Sequence, residues 1–179
     1  RVVGEGERLS ELRGGLGVAV DLRGVDATSG QGRSLRQPLA RAVGLRKGEA
    51  WRPSVVDATA GFGGDAWLLA SLGCAVTAVE RSGVMAALLR DGLRRAAGDL
   101  PEVAARVRVV RGESAAFLAS LGEADRPDVV YLDPMFPTGR KAMERKPMRV
   151  LRLLAGSKGH AAEVLAAAVR AARRRVVVK

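Results

Sequence analysis

A chain of 179 residues with 47% hydrophobic and only 3% aromatic side chains fits one domain with a sizeable core of Ala, Val and Leu, as in a helix-covered sheet. The lone Cys74 excludes a disulfide framework and, heading an apolar run, reads as a buried thiol; the lone His160 excludes the usual His-rich metal sites, so no metal is expected. The net charge of +11 is uneven: residues 1–133 hold 18 Lys+Arg against 17 Asp+Glu, whereas residues 134–179 hold 12 against 2. Such a basic segment suits a polyanion such as nucleic acid. The plainer alternative is a solvated basic face, because Arg outnumbers Lys 25 to 5 and Arg173 to Arg175 can cap a helix C-terminus. No apolar run approaches the ~20 residues of a membrane span. None reads as a signal peptide, so no membrane partner and a cytoplasmic location are expected.

Residues 1–50 read as a small N-terminal extension, with a short strand-like run at Val18 to Leu22 between glycine-rich turns and a helix near Leu35 to Val43. From residue 51 to 179 strand and helix alternate. Strands are expected at Val55 to Asp57, Ala75 to Val79, Val107 to Val110, Asp128 to Leu132 and Val176 to Val178. Helices are expected at Asp65 to Leu72, Val84 to Ala97, Ala115 to Leu121, near Met148 to Leu154, and at Ala161 to Ala172. This alternation predicts an α/β fold with a doubly wound, mostly parallel, Rossmann-like sheet.

Two motifs carry chemistry. In Val55-Val56-Asp57-Ala58-Thr59-Ala60-Gly61-Phe62-Gly63-Gly64-Asp65 a strand runs into a glycine-rich turn and then a helix. Its glycines allow a tight turn and close approach to a ligand, and the helix start supplies free N–H groups. The spacing is not G-x-G-x-x-G, since Ala66 takes the third glycine position, and alone it is weak evidence. Glu80 strengthens it: an acid ending the second strand, 23 residues after Asp57, can accept hydrogen bonds from both ribose hydroxyls. An ordinary turn, with Glu80 paired to Arg81, is the structural alternative.

The second motif is Val129-Val130-Tyr131-Leu132-Asp133-Pro134-Met135-Phe136-Pro137, a buried strand that delivers an acid, a proline and a ring to the C-terminal edge of the sheet. Asp133, the Pro134 carbonyl and the Phe136 ring together suit a planar amine, although core packing is a rival reading of Phe136.

Together these features resemble class I S-adenosylmethionine (SAM) methyltransferases acting on exocyclic amines. More closely, Asp57-Ala-Thr-Ala-Gly-Phe-Gly-Gly-Asp-Ala66, Leu69-Ala-Ser-Leu-Gly-Cys74, Leu88-Leu-Arg-Asp-Gly-Leu93, Val129 to Pro137 and Arg175-Val-Val-Val-Lys179 resemble the RsmJ family of bacterial 16S ribosomal RNA guanine-N2 methyltransferases. The resemblance runs from about Leu16 to Lys179. It implies a SAM-dependent methyltransferase domain over residues 51–179, SAM as cofactor, and 16S ribosomal RNA or the small ribosomal subunit as partner. It assigns SAM contacts to Gly64-Asp65, Glu80-Arg81, Glu113-Ser114 and Asp133, alongside the turn residues Asp57, Gly61 and Gly63.

This chain departs from the family at Gly64, where an Arg is usual, and at Glu113, where a small or hydroxyl residue is usual, so backbone contacts are expected there. Ser114 reads equally as the N-cap of the helix that follows. Catalysis falls to Asp133, Pro134 and Phe136, and RNA phosphates to Arg140, Lys141, Arg145 and Lys146. Two alternatives stand beside this: a methyltransferase of another amine, on DNA or protein, and a non-catalytic RNA-binding module on the same fold.

Overall fold

A computed structural model of the chain describes residues 18–30, 32, 34–133 and 161–179. Pro134, Phe136, the basic residues Arg140, Lys141, Arg145 and Lys146, and the helix expected near Met148 to Leu154 lie outside the described residues.

Five strands form one parallel sheet: β1 (Ser54–Asp57), β2 (Ala75–Glu80), β3 (Val107–Arg111), β4 (Val129–Leu132) and β5 (Arg175–Val178), in the order β3-β2-β1-β4-β5. In register, Asp57 lies beside Ala78 of β2 and Tyr131 of β4, and Leu132 lies beside Val178 of β5. Each face of the sheet is covered, so the central strands are apolar on both faces: all four residues of β4 are buried. Alternate side chains serve two cores. Val55, Val129 and Tyr131 pack with α2 (Gly64–Ser71) and α3 (Gly83–Ala96), whereas Val56, Val130 and Leu132 pack with α5 (Ser114–Ala119) and α6 (Ala161–Ala171). Two short helices, α1 (Pro38–Ala42) and α4 (Pro101–Ala104), each begin with a proline at the first turn, where a missing N–H costs nothing.

The longest helix shows how local pattern becomes packing. In α3, Met85, Leu88, Leu89, Gly92, Leu93 and Ala96 recur at three- and four-residue steps and form one buried stripe. The Ser82 hydroxyl accepts from the Met85 N–H at 3.3 Å and caps its start, while Arg94 and Arg95 occupy its last turn, where cations suit the helix dipole.

The expected strand at Val18 to Leu22 is corrected. Val18 makes only an isolated bridge, and Leu22–Gly24 is a 3-10 turn. Here tertiary packing outweighs β-propensity. Val20 and Leu22 turn inward against α3, and the Val20 carbonyl accepts from the Arg95 guanidinium at 2.5 Å instead of joining a ladder. Gly92 makes room for this: a Cβ there would meet Val20 Cγ1 and its carbonyl oxygen at 2.8 Å. Val20, Leu22, Ala27, Ala40, Val43 and Leu45 share one apolar cluster with Trp67, Leu69 and Leu89, so the described part of the N-terminal segment packs into the main core. No helix among the described residues is long and apolar enough to cross a membrane.

Candidate active site

β1 has β2 on one side and β4 on the other, so the chain's outward progression through the sheet reverses there. Open α/β sheets bind ligands in the crevice beyond the strand C-termini at that reversal. β1 ends on Asp57, β2 ends on Glu80, and Asp133 follows β4 directly, which brings three carboxylates to one edge.

The turn after β1 is held on every side. The Ala58 N–H donates to the Tyr131 carbonyl at 3.0 Å, the Ala60 N–H to that of Val79 at 3.2 Å, and the Gly63 N–H to that of Ala60 at 2.7 Å. Gly61 (φ +51°) and Gly63 (φ +76°) adopt the left-handed region that glycine tolerates best. A Cβ at Gly63 would also sit 2.3 Å from Leu89 Cδ1 of α3, so the buried Leu89 side chain would have to shift. At Gly64 a Cβ would meet nothing within 4 Å, so this residue faces open space at the start of α2.

Glu80 binds two loops at once: Oε2 accepts from the Gly61 N–H at 3.0 Å and Oε1 from the Ser82 N–H at 2.7 Å. These backbone donors, rather than pairing with Arg81, define how its carboxylate is held. Each oxygen keeps a further acceptor site. Arg81 is half-buried in the turn between β2 and α3.

The connection after β3 is drawn to the same edge. The Gly112 N–H donates to the Glu80 carbonyl at 3.1 Å, and the Ser114 hydroxyl donates to the Ala58 carbonyl at 2.5 Å. Of the two readings of Ser114 that sequence left open, the N-cap is not the one formed. Glu113 holds that position, and Ser114 is the first helical residue, buried with its side chain committed to the β1 turn.

Asp133 is fixed by main chain and side chain. Its N–H donates to Thr59 Oγ1 at 2.7 Å, and its Oδ2 lies 3.1 Å from Lys179 Nζ. The same ammonium reaches Asp65 Oδ2 at 2.9 Å, where the Tyr131 hydroxyl also donates, at 2.5 Å. Partial burial pulls the Lys179 ammonium down, but its bonds to Asp65 and Asp133 outweigh this and hold it above the usual lysine value. Burial, reinforced by the bond to Asp65, raises the Tyr131 phenol far above its ordinary range. Asp57 is 2% exposed, and burial pushes its carboxyl up to about 7 although the Thr59 N–H, 3.1 Å away, favours the anion; the charges of Asp65, Asp133 and Glu80 add to the rise. Cys74 is fully buried and its thiol is pushed up to about 11 by burial, which suits a core residue and not a nucleophile.

The structure thus gathers Asp57, Gly61, Gly63, Gly64, Asp65, Glu80, Arg81, Glu113, Ser114 and Asp133 at one edge of the sheet. Sequence reasoning missed Thr59, Tyr131 and Lys179. Lys179 ends a recognisable motif, but nothing in its spacing shows that its ammonium meets Asp133. A hollow of about 210 Å³ opens beside Phe62 and Gly64 on the flank next to the N-terminal segment.

A parallel sheet of this order, with a glycine turn after its first strand and an acid ending its second, is the architecture of the class I methyltransferase fold. The family model described as "Putative SAM-dependent methyltransferase" matches residues 10–179, and the chain belongs to that family. It is similar to the ribosomal RNA small subunit methyltransferase J of Thioalkalivibrio sulfidiphilus, 56% identical over 150 residues, covering 82% of this chain and 58% of the relative. The protein of the same name from Chromobacterium violaceum is 53% identical over 153 residues, covering 83% and 59%. A crystal structure of a SAM-dependent methyltransferase from Neisseria gonorrhoeae superimposes with a TM-score of 0.67 at 35% identity, covering 93% of this chain and 64% of that one. These relatives bear out the resemblance to the RsmJ family and the doubly wound fold. The chain spans less than three fifths of the length of these two curated relatives.

Proposed function

We propose that this chain transfers the methyl group of SAM to the exocyclic N2 amine of a guanine in 16S ribosomal RNA. The observation that carries the reading is Asp133, tied to Thr59 and Lys179 beside a glycine turn that Glu80 clamps. The donor set suits SAM. Gly64 leaves the start of α2 open, where the first helical N–H groups lack intrahelical acceptors and favour a carboxylate. Glu80 keeps acceptor sites for ribose hydroxyls, and the acids Asp57, Asp65 and Asp133 favour a cation. Arg81, Glu113 and Ser114 complete the cofactor side in this proposal.

SAM when bound supplies a methyl group on a sulfonium sulfur, an electrophile. An aromatic amine is a poor nucleophile because its lone pair is delocalised, so orientation supplies much of the rate. Asp133 and the Pro134 carbonyl accept the two amine hydrogens, turning the lone pair outward and stabilising the positive charge that develops on nitrogen. Phe136 stacks on the base. Arg140, Lys141, Arg145 and Lys146 hold flanking phosphates while the base is turned out of its stack. Work on ribosomal RNA sets the protein in the cytoplasm, with the small subunit or its RNA as partner.

The test incubates the purified protein with radiolabelled SAM and small ribosomal subunits from cells lacking this gene, followed by nucleoside analysis. Label in N2-methylguanosine is the expected result. Label only in DNA or protein amines would replace the substrate, and bound SAM with no transfer to any of them would leave an RNA-binding module.

A further inference from the structure

We propose that Lys179 is a positioning residue for the transfer: its ammonium, shared between Asp65 and Asp133, holds the Asp133 carboxylate in one orientation by its Oδ2 and leaves Oδ1 as the acceptor for the amine. This rests on the reading of Asp133 as the amine acceptor. The sheet builds the arrangement. β5 runs parallel to β4 with Val178 beside Leu132, and the Lys179 N–H donates to the Leu132 carbonyl at 2.9 Å, so Lys179 leaves the sheet at the level of Asp133.

Nζ then meets Asp133 Oδ2 at 3.1 Å and Asp65 Oδ2 at 2.9 Å. Asp65 is a fixed post, because it stands on the first turn of α2 and takes the hydroxyl of Tyr131, a residue only 1% exposed. A lone surface ion pair contributes little. One ammonium bridging two anchored carboxylates differs, since each partner is already restrained and a rotation of Asp133 breaks a bond. The charge matters too. Asp133 is faced by Asp57 from β1, Asp65 from α2 and Tyr131 from β4, with Glu80 ending β2, and the charges of Asp65, Asp133 and Glu80 add to the rise of Asp57. Lys179 supplies a cation to two of them. A compact ammonium with three donors can serve two oxygens at an angle where a planar guanidinium fits one carboxylate side-on, so Lys179→Arg restores charge more fully than geometry.

The experiment compares Lys179→Met, Lys179→Gln, Lys179→Arg and Asp133→Asn in the full chain, with radiolabelled SAM and small ribosomal subunits, while calorimetry follows SAM binding. Both neutral variants should lower kcat on the order of tenfold, with KM for the subunit little changed. Lys179→Arg should recover part of the lost kcat, because it restores the charge without the two-sided geometry. Nitrogen-15 NMR of the ammonium groups gives a readout independent of turnover: the Lys179 signal, one of five lysines, should move in both Asp65→Asn and Asp133→Asn. A Lys179 signal indifferent to either substitution, or wild-type kcat in the neutral variants, would overturn the proposal. So would unfolding of both neutral variants, which would make Lys179 a stability residue. If Asp133→Asn keeps full turnover, the reading of Asp133 itself fails, whatever Lys179 does.

Discussion

Replacing Asp57 by Asn isolates the electrostatic cost of gathering acids at the sheet edge. The folded carboxyl, pushed up to about 7, keeps its proton where an unfolded one, at the ordinary 3.8, has lost it. The folded state therefore binds more protons between those two values, and the Asp57 contribution to stability falls as pH rises through that window, levelling off above it. Integrated for one site, the loss between about pH 5 and about pH 7 is roughly 2 kcal/mol. Asn keeps the shape and can still accept the Thr59 N–H, but it has no charge to desolvate. Urea unfolding of both proteins at about pH 5, 6 and 7 measures the difference, and comparing the pair cancels the titrating groups that lie far from Asp57. The variant should gain on the wild type by about 2 kcal/mol across that range. A difference that stays level, or one that shrinks as pH rises, would refute the account of Asp57 as a buried, acid-crowded carboxyl.

Gly63→Ala places a methyl against Leu89 at positive φ and should destabilise by more than about 1 kcal/mol in denaturant unfolding. Gly64→Ala, facing open space, should leave stability unchanged or raise it by up to about 1 kcal/mol. Ser114→Ala orphans the Ala58 carbonyl and should cost about 1–2 kcal/mol by the same measurement. Gly92→Ala wedges Val20 off α3 and should cost about 1–3 kcal/mol, with hydrogen exchange rising first over residues 18–25; unchanged exchange there would contradict the docking of that segment.

Much of the architecture was legible in the chain itself because it depends on local pattern. The apolar runs ending in Asp57 and Leu132, the three- and four-residue spacing of Met85, Leu88, Leu89 and Leu93, and glycines at a strand-to-helix turn each carry their meaning within a dozen residues. The strand-like run Ala75 to Val79 is equally local, which is why the position of Glu80 at the end of β2 could be read in advance. Val18 to Leu22 failed the same reading: its β-propensity is local, but Gly92 and Arg95, some 70 residues on, decide that Val20 turns into the core.

Ser114 shows the limit from another side, since a hydroxyl before a helix suggests a cap until the Ala58 carbonyl comes within reach. Sequence by itself determined the strand and helix alternation, the parallel α/β class and the identity of the acids at the strand ends. Only the tertiary structure decided what those acids touch. Lys179 reaches Asp65, 114 residues away, and Asp133 because β5 is laid in register beside β4. Charge and hydrogen-bond partnerships act over ångströms of space, and a linear spacing cannot encode them until the sheet has set the distances.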